Sequence, residues 1–279
     1  MSLVTMDMLV NRAWAEGSCI PAFNVGSLEM IRGAIRAAEE LNKPIIIQIA
    51  ERLLKYSPLD YIGPAMVNAA KEAKVDVAVN MDHSSSFDVI ERALELGFTS
   101  VMYDGSTDPY EDNVSGTRRA YELARRYGAS VEGELGLVGG SEDGLSDHGI
   151  KCTNPDLAHD FCEKTGVSAL AVAIGNAHGD YPVAPELAFD ILEEINHKAG
   201  KPLVLHGGSG LTDDDFRKAV SLGIAKINIG TASFKNVTGF AANYLAREGK
   251  HDYFGLNTAM TQGMYENALR HIKVFTGIE

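Results

Sequence analysis

The stretch "PLVLHGGSGLTDDDFRKAVSLGIAKINIGT", residues 202–231, contains one whole structural unit and the start of the next. The apolar run "PLVLHG" (202–207) has the length and composition of a buried strand. In "TDDDFRKAVSLG" (212–223) the apolar residues return every three or four positions, as on one face of a helix. Thr212 stands where an N-cap belongs, Asp215 lies in the first turn behind it, and Gly223 closes the segment. "AKINIG" (225–230) is again a short apolar run. Strand, helix and strand in that order imply parallel pairing.

The same unit recurs outward from this stretch. Apolar runs occur at "IPAFNV" (20–25), "PIIIQIA" (44–50), "VDVAVNMD" (75–82), "TSVMYD" (99–104), "SVEGELG" (130–136) and "SALAVAIG" (168–175). Helical patterns lie between them, such as "SLEMIRGAIRAAEEL", "SFDVIERALELG", "TRRAYELARRYG" and "APELAFDILEEINHKAG". Ser27 and Ser86 are further N-cap residues, with Glu29 in the first turn behind Ser27. Eight units in about 250 residues are the repeat of a (β/α)₈ barrel. The expected fold is α/β: a TIM barrel, one domain over residues 1–279, with extra helices at the N- and C-termini. A doubly wound sheet is the other arrangement of such units, but its glycine-rich dinucleotide loop should follow the first strand. Here "PAFNVGSLEM" follows, without G-x-G-x-x-G.

Composition narrows the function classes. Of 279 residues, 45% are hydrophobic and 23% charged, an ordinary globular balance with no linker-like block. No apolar run reaches the roughly 18 residues of a membrane span, and the N-terminal stretch reads as a helix rather than a signal peptide. Three cysteines, without a C-x-x-C, argue against a disulfide framework and suit a reducing, cytoplasmic setting. A net charge of −13 makes nucleic acid an unsuitable partner. An anionic substrate would then need local donors such as loop amides and helix N-termini.

Polar residues gather where the strands end, the end at which barrels of this kind carry their chemistry. Strand one ends in Asn24, strand three in Asp82-His83, strand four in Asp104 and strand seven in His206. Strand five carries Glu132 and Glu134 on one face, strand six runs into "GNAHGD" with His178, and strand eight carries Asn228 before Gly230-Thr231. A single histidine is ordinarily structural: His159, His197 and His271 fall in helical patterns, His148 and His251 in loops. Three on one rim, His83, His178 and His206, form the ligand set of a catalytic zinc with an open position. The glycines beside His178 and His206 let backbone amides approach a ligand and form an anion nest. "HGGSG" and "NIGT" follow strands seven and eight, the usual phosphate position of the fold.

With these motifs in place, the sequence resembles the class II, zinc-dependent ketose-bisphosphate aldolases acting on fructose or tagatose 1,6-bisphosphate. The resemblance spans nearly the whole chain through "AFNVGSLEM", "NMDHSSS", "SVMYDGS", "VEGELGLVGGSEDG", "VSALAVAIGNAHGDY", "PLVLHGGSG" and "KINIGT". It implies zinc on His83, His178 and His206, with Glu134 and Asp104 as secondary acidic positions. It implies Asp82 as the acid/base at the C4 hydroxyl and Glu142 as the carboxylate that moves the C3 proton. Asn24, Gly179, Gly207, Ser209, Asn228, Gly230 and Thr231 would hold the dihydroxyacetone-phosphate half, with a monovalent cation (Na⁺ or K⁺) beside the phosphate loops. It further implies a homodimer or homotetramer.

The chain departs from the family pattern in three places. Gly230 stands where many members have a larger residue, and Ala50 where serine is common. No arginine occurs between Glu248 and Leu269, the stretch from which family members reach the distal phosphate. Arg52, just past strand two, is the candidate to replace it. "AERL" and "EDGL" resemble the branch acting on 6-phospho-5-dehydro-2-deoxygluconate, which is the alternative substrate. Two other functions compete. A Schiff-base aldolase needs an inward lysine on a strand; Lys226 is the one candidate and reads as structural. A non-catalytic sugar-phosphate-binding barrel would not need Asp82 and three histidines together.

Overall fold

A computed structural model describes residues 2–140, 150–179, 185–247, 249 and 251–278. Eight parallel strands close a barrel in chain order: β1 (Ile20–Asn24), β2 (Ile45–Ala50), β3 (Val77–Ser84), β4 (Ser100–Tyr103), β5 (Ser130–Leu135), β6 (Ala169–Val172), β7 (Leu203–Leu205) and β8 (Ile224–Ile229). β8 pairs with β1 in the register Ala22↔Asn228, which shuts the ring. The expected fold class is therefore observed, including the terminal helices α1 (Met6–Glu16) and α10 (Tyr253–Thr276).

The outer layer is made by α2 (Leu28–Leu41), α3 (Leu59–Glu72), α4 (Phe87–Glu95), α5 (Tyr110–Arg125), α6 (Pro155–Thr165), α7 (Phe189–Ala199), α8 (Asp213–Ser221) and α9 (Thr231–Leu245). Local chemistry sets their starts. Ser27 accepts from Met30 N and Ser86 from Val89 N, while Thr212 and Asp215 complete a reciprocal capping box. The segment expected to be helical from Ala184 begins only at Phe189. Residues 185–188 have no regular secondary structure, and Ala188 N donates to Ile174 O.

Two apolar layers hold the barrel. Outward strand residues such as Ile45, Ile47 and Ile49 join the helices in the main core. The inward residues at the bottom are small, Ala22, Ala78, Ala169 and Ala171, and α1 plugs that end with Met6, Leu9, Val10 and Ala13. Above this plug the interior turns polar. Asn24, Gln48, Asn80, Asp82, Glu132, Glu134, Lys226 and Asn228 are all buried. They occupy alternate positions on their strands and so face the axis together. Burying so many polar groups is costly unless each finds a partner, and the partners define the site.

Candidate active site

His83, His178 and His206 converge at the C-terminal mouth of the barrel. One nitrogen from each ring lies within 4.8 Å of the others, and the ring centroids are 4.7, 4.4 and 5.8 Å apart. β3 runs two residues further than its apolar pattern, so His83 lies within the strand at φ 42°, beside a register shift against β4. A left-handed backbone at a non-glycine residue persists only where the surroundings enforce it. Here Glu51 accepts from Ser84 Oγ, Ser85 N and Ser86 N at 2.6, 2.9 and 3.1 Å, which fixes the chain just beyond His83.

His83 and His206 each have a carboxylate behind the ring. His83 Nδ1 is 2.7 Å from Asp104 Oδ2, and His206 Nε2 is 2.7 Å from Glu132 Oε1. A carboxylate only accepts, so each ring donates from that nitrogen and turns its other one inward. His178 Nε2 and His206 Nδ1 are buried and make no hydrogen bond among the described residues. Burial, with the neighbouring rings, pushes the basicity of both His178 and His206 well below the ordinary imidazole range. Burial acts to raise the pKa of Asp104, but hydrogen bonds from His83 and Ser106 and the charge of His83 outweigh it and hold this carboxyl well below the usual range. His178 and His206 are thus favoured as neutral rings, and His83 and His206 are each backed by a carboxylate, features suited to metal donors.

Asp82 lies at the same depth. Its Oδ2 accepts from Asn24 Nδ2 at 3.1 Å and Gln48 Nε2 at 3.0 Å, and its Oδ1 from Asn228 Nδ2 at 3.2 Å. Three amides from three strands thus set the plane of the carboxylate. Glu134 Oε2 stands 3.4 Å from His206 Nδ1. Burial first, then the charge of Asp104, raises the Glu134 pKa to about 8. Its ligand atom also groups with those of His83 and Asp104.

The glycine loop after β7 packs too closely for side chains. Gly207 has φ 64°, and a Cβ there would lie 2.0 Å from Ala177 O. The "GNAH" and "HGGSG" loops therefore touch backbone to backbone, and Asn176 Nδ2 ties them by donating to His206 O at 3.0 Å. Asn24, Gly179, Gly207, Ser209, Asn228, Gly230 and Thr231 line one cleft with His178 and Phe234, at the N-terminus of α9. All seven residues expected around a phosphate are thus neighbours. On the other side of the histidines a cavity of about 210 Å³ is lined by Arg52, Ser85, Ser106, Thr107, Asp104 and Glu134, among others.

Glu142 lies outside the described residues. Gln48, Asn80, Asn176, Glu51 and Lys226 were not among the expected site residues. A polar residue inside an otherwise apolar strand was the available sign for Gln48, Asn80 and Lys226. Lys226 is fully buried, 2.8 Å from Glu132 Oε2, and donates to Asn228 Oδ1 at 2.7 Å. Committed to these partners, it is not a free amine for Schiff-base chemistry.

The chain is similar to known proteins over most of its length. A family model described as fructose-bisphosphate aldolase class-II matches residues 4–278. A protein of Bacillus subtilis (strain 168) named "Probable fructose-bisphosphate aldolase" is 42% identical over 234 residues, 83% of this chain and 82% of that protein. The fructose-bisphosphate aldolase of Staphylococcus aureus (strain N315) is 40% identical over the same shares. The crystal structure of the YdjI aldolase from Escherichia coli K12 matches with a TM-score of 0.88 at 34% identity, covering 98% of this chain and 97% of that one.

Proposed function

The chain belongs to the class-II fructose-bisphosphate aldolase family and is an aldehyde-lyase, and from that premise we propose that it reversibly cleaves a ketose 1-phosphate or 1,6-bisphosphate, of the fructose or tagatose 1,6-bisphosphate type, into dihydroxyacetone phosphate and an aldehyde. The observation that supports this most is the convergence of His83, His178 and His206 beside an amide-clamped Asp82.

In this reading the three imidazoles hold one zinc ion, through His178 Nε2 and His206 Nδ1 and the inward nitrogen of His83. When bound, zinc supplies positive charge that polarises the ketone and offsets the charge left by cleavage. The cleft formed by the glycine loops and the α9 N-terminus takes the 1-phosphate, using backbone amides and the Ser209 and Thr231 hydroxyls. Ser209 Oγ already accepts from Ala232 N at 3.0 Å, which orients the hydroxyl. That docking sets the substrate C4 hydroxyl over Asp82. Asp82 takes the hydroxyl proton, the C3–C4 bond breaks, the aldehyde leaves, and the electron pair remains on the ketone half. A proton then returns to C3, the role proposed for Glu142.

The aldehyde half sets specificity, and one observation favours a substrate without a distal phosphate anchored by α10. The first arginine in that helix, Arg270, is bound to Asp213 on α8 at 2.5 Å. 6-Phospho-5-dehydro-2-deoxygluconate is the second substrate we propose on this ground. A panel of ketose 1-phosphates and 1,6-bisphosphates, with this substrate included, is read out by dihydroxyacetone-phosphate release. Release from a ketose 1-phosphate or bisphosphate is expected. No release from any of them, with zinc bound, contradicts the proposal.

A further inference from the structure

We propose that Lys226 is a positioning residue that sets both halves of the catalytic apparatus at once: the metal-facing imidazole of His206 and the carboxylate of Asp82. The inference rests on the reading of His206 as a metal ligand and of Asp82 as the base.

Lys226 sits on β8 one inward layer below Asn228, fully buried, where an unpaired ammonium is very costly. Its two partners lead in different directions. Toward β5, its Nζ lies 2.8 Å from Glu132 Oε2, while Glu132 Oε1 is 2.7 Å from His206 Nε2. The ion pair holds the carboxylate plane so that its other oxygen meets the ring. His206 must then donate from Nε2, which leaves the Nδ1 lone pair facing His83 and His178. Upward, Lys226 donates to Asn228 Oδ1 at 2.7 Å, and Asn228 Nδ2 donates to Asp82 Oδ1 at 3.2 Å. An ammonium only donates, so it forces the carbonyl end of the Asn228 amide downward and its NH₂ end up to Asp82. Without the ammonium, a flipped amide would set an oxygen against the Asp82 oxygen.

One buried cation therefore fixes a histidine tautomer and an amide orientation together. The role also accounts for a lysine buried in this interior beside Glu132 and Asn228. A merely space-filling residue would pack as well as methionine.

The test uses full-length protein and three readouts on Lys226→Met, with Glu132→Gln beside it. Histidine ¹⁵N spectra of the metal-free protein report the His206 tautomer. Chelator competition reports zinc affinity, and kcat and KM are measured at saturating zinc. Lys226→Met should lose the single Nε2–H tautomer and bind zinc about 10- to 100-fold more weakly. Its kcat should fall roughly tenfold or more with little change in KM, since a charge-assisted contact to Asp82 is lost. Glu132→Gln should weaken zinc but lose less kcat at saturating zinc, because its Asn228 arm is intact. If Lys226→Met does not fold, Lys226→Gln, which keeps a donor without the charge, carries the same comparison. A variant with the wild-type tautomer and zinc affinity overturns the inference, as does one whose kcat is fully restored by zinc. If wild type releases no triose phosphate, the functional reading fails instead, and the tautomer measurement on the metal-free protein still decides the role of Lys226.

Discussion

Asp82 receives its amide donors from Asn24, Gln48 and Asn228, each on a different strand, and this makes it a group held for one geometry. If it transfers the C4 proton, Asp82→Ala should retain zinc and lose about 10²- to 10⁴-fold in kcat, with KM much less affected. Loss of zinc in that variant would reassign the residue to metal binding. Glu134 gives a pH signature of a different kind. Its pKa is raised from 4.5 to about 8 by burial and by Asp104, so the folded metal-free protein holds a proton that the unfolded chain releases. The stabilisation is complete below about pH 4.5 and is lost as pH rises through 8. Thermal unfolding of the metal-free protein should show stability falling by about 1–2 kcal/mol between pH 6.5 and 8. Glu134→Gln should flatten that slope; an unchanged slope would assign the proton elsewhere. At this scale the sequence was partly legible. Histidines and acids at strand ends could be read from the pattern. Gln48, Asn80 and Lys226 stand out only as polar residues in apolar strands, and their roles depend on cross-barrel neighbours that no local spacing reveals.

At the scale of elements, the loops after β6 and β7 act as one piece. Asn176 bonds His206 O, and the α-carbon of Gly207 faces Ala177 O with no room for a methyl group. Gly207→Ala combines a positive φ with that clash, so it should cost more than about 2 kcal/mol in stability and reduce activity severely. Gly200→Ala is the control, since φ there is 64° but nothing lies within 4 Å of the added carbon. Equal effects of the two would show that backbone conformation, rather than close approach, explains "HGGSG". Element starts were legible where side chains cap them, as at Ser27, Ser86 and Thr212. Ends of strands were less so. β3 continues to Ser84 because Glu51 and β4 hold it, while β6 stops at Val172 because the chain turns aside to Thr153 and Asn176. Both outcomes come from tertiary partners that the apolar pattern does not contain.

For the whole molecule, the strict alternation of units made the barrel readable, and the order β1 to β8 follows the chain. The two sides of its mouth divide the substrate. The glycine cleft faces one way, and the cavity with Arg52, Ser85, Ser106 and Thr107 the other. With a net charge of −13 the overall field does not draw in a distal anion, so a local cation must. Comparing kcat/KM for fructose 1,6-bisphosphate and fructose 1-phosphate in wild type and Arg52→Ala measures this. Any bisphosphate preference should be lost by about 10- to 150-fold in the variant. A thousandfold preference that survives Arg52→Ala would exclude Arg52 as the distal contact.

In the proposed mechanism, carbon–carbon cleavage depends on a zinc ion held by His83, His178 and His206. The most direct test of this mechanism follows dihydroxyacetone-phosphate release from the best ketose phosphate before and after metal is stripped with a chelator and zinc is added back. Turnover should vanish on stripping and return in full at one zinc per chain, and His178→Ala should neither bind the ion tightly nor recover. Undiminished turnover in the stripped protein, or recovery by His178→Ala at one equivalent of zinc, would contradict it.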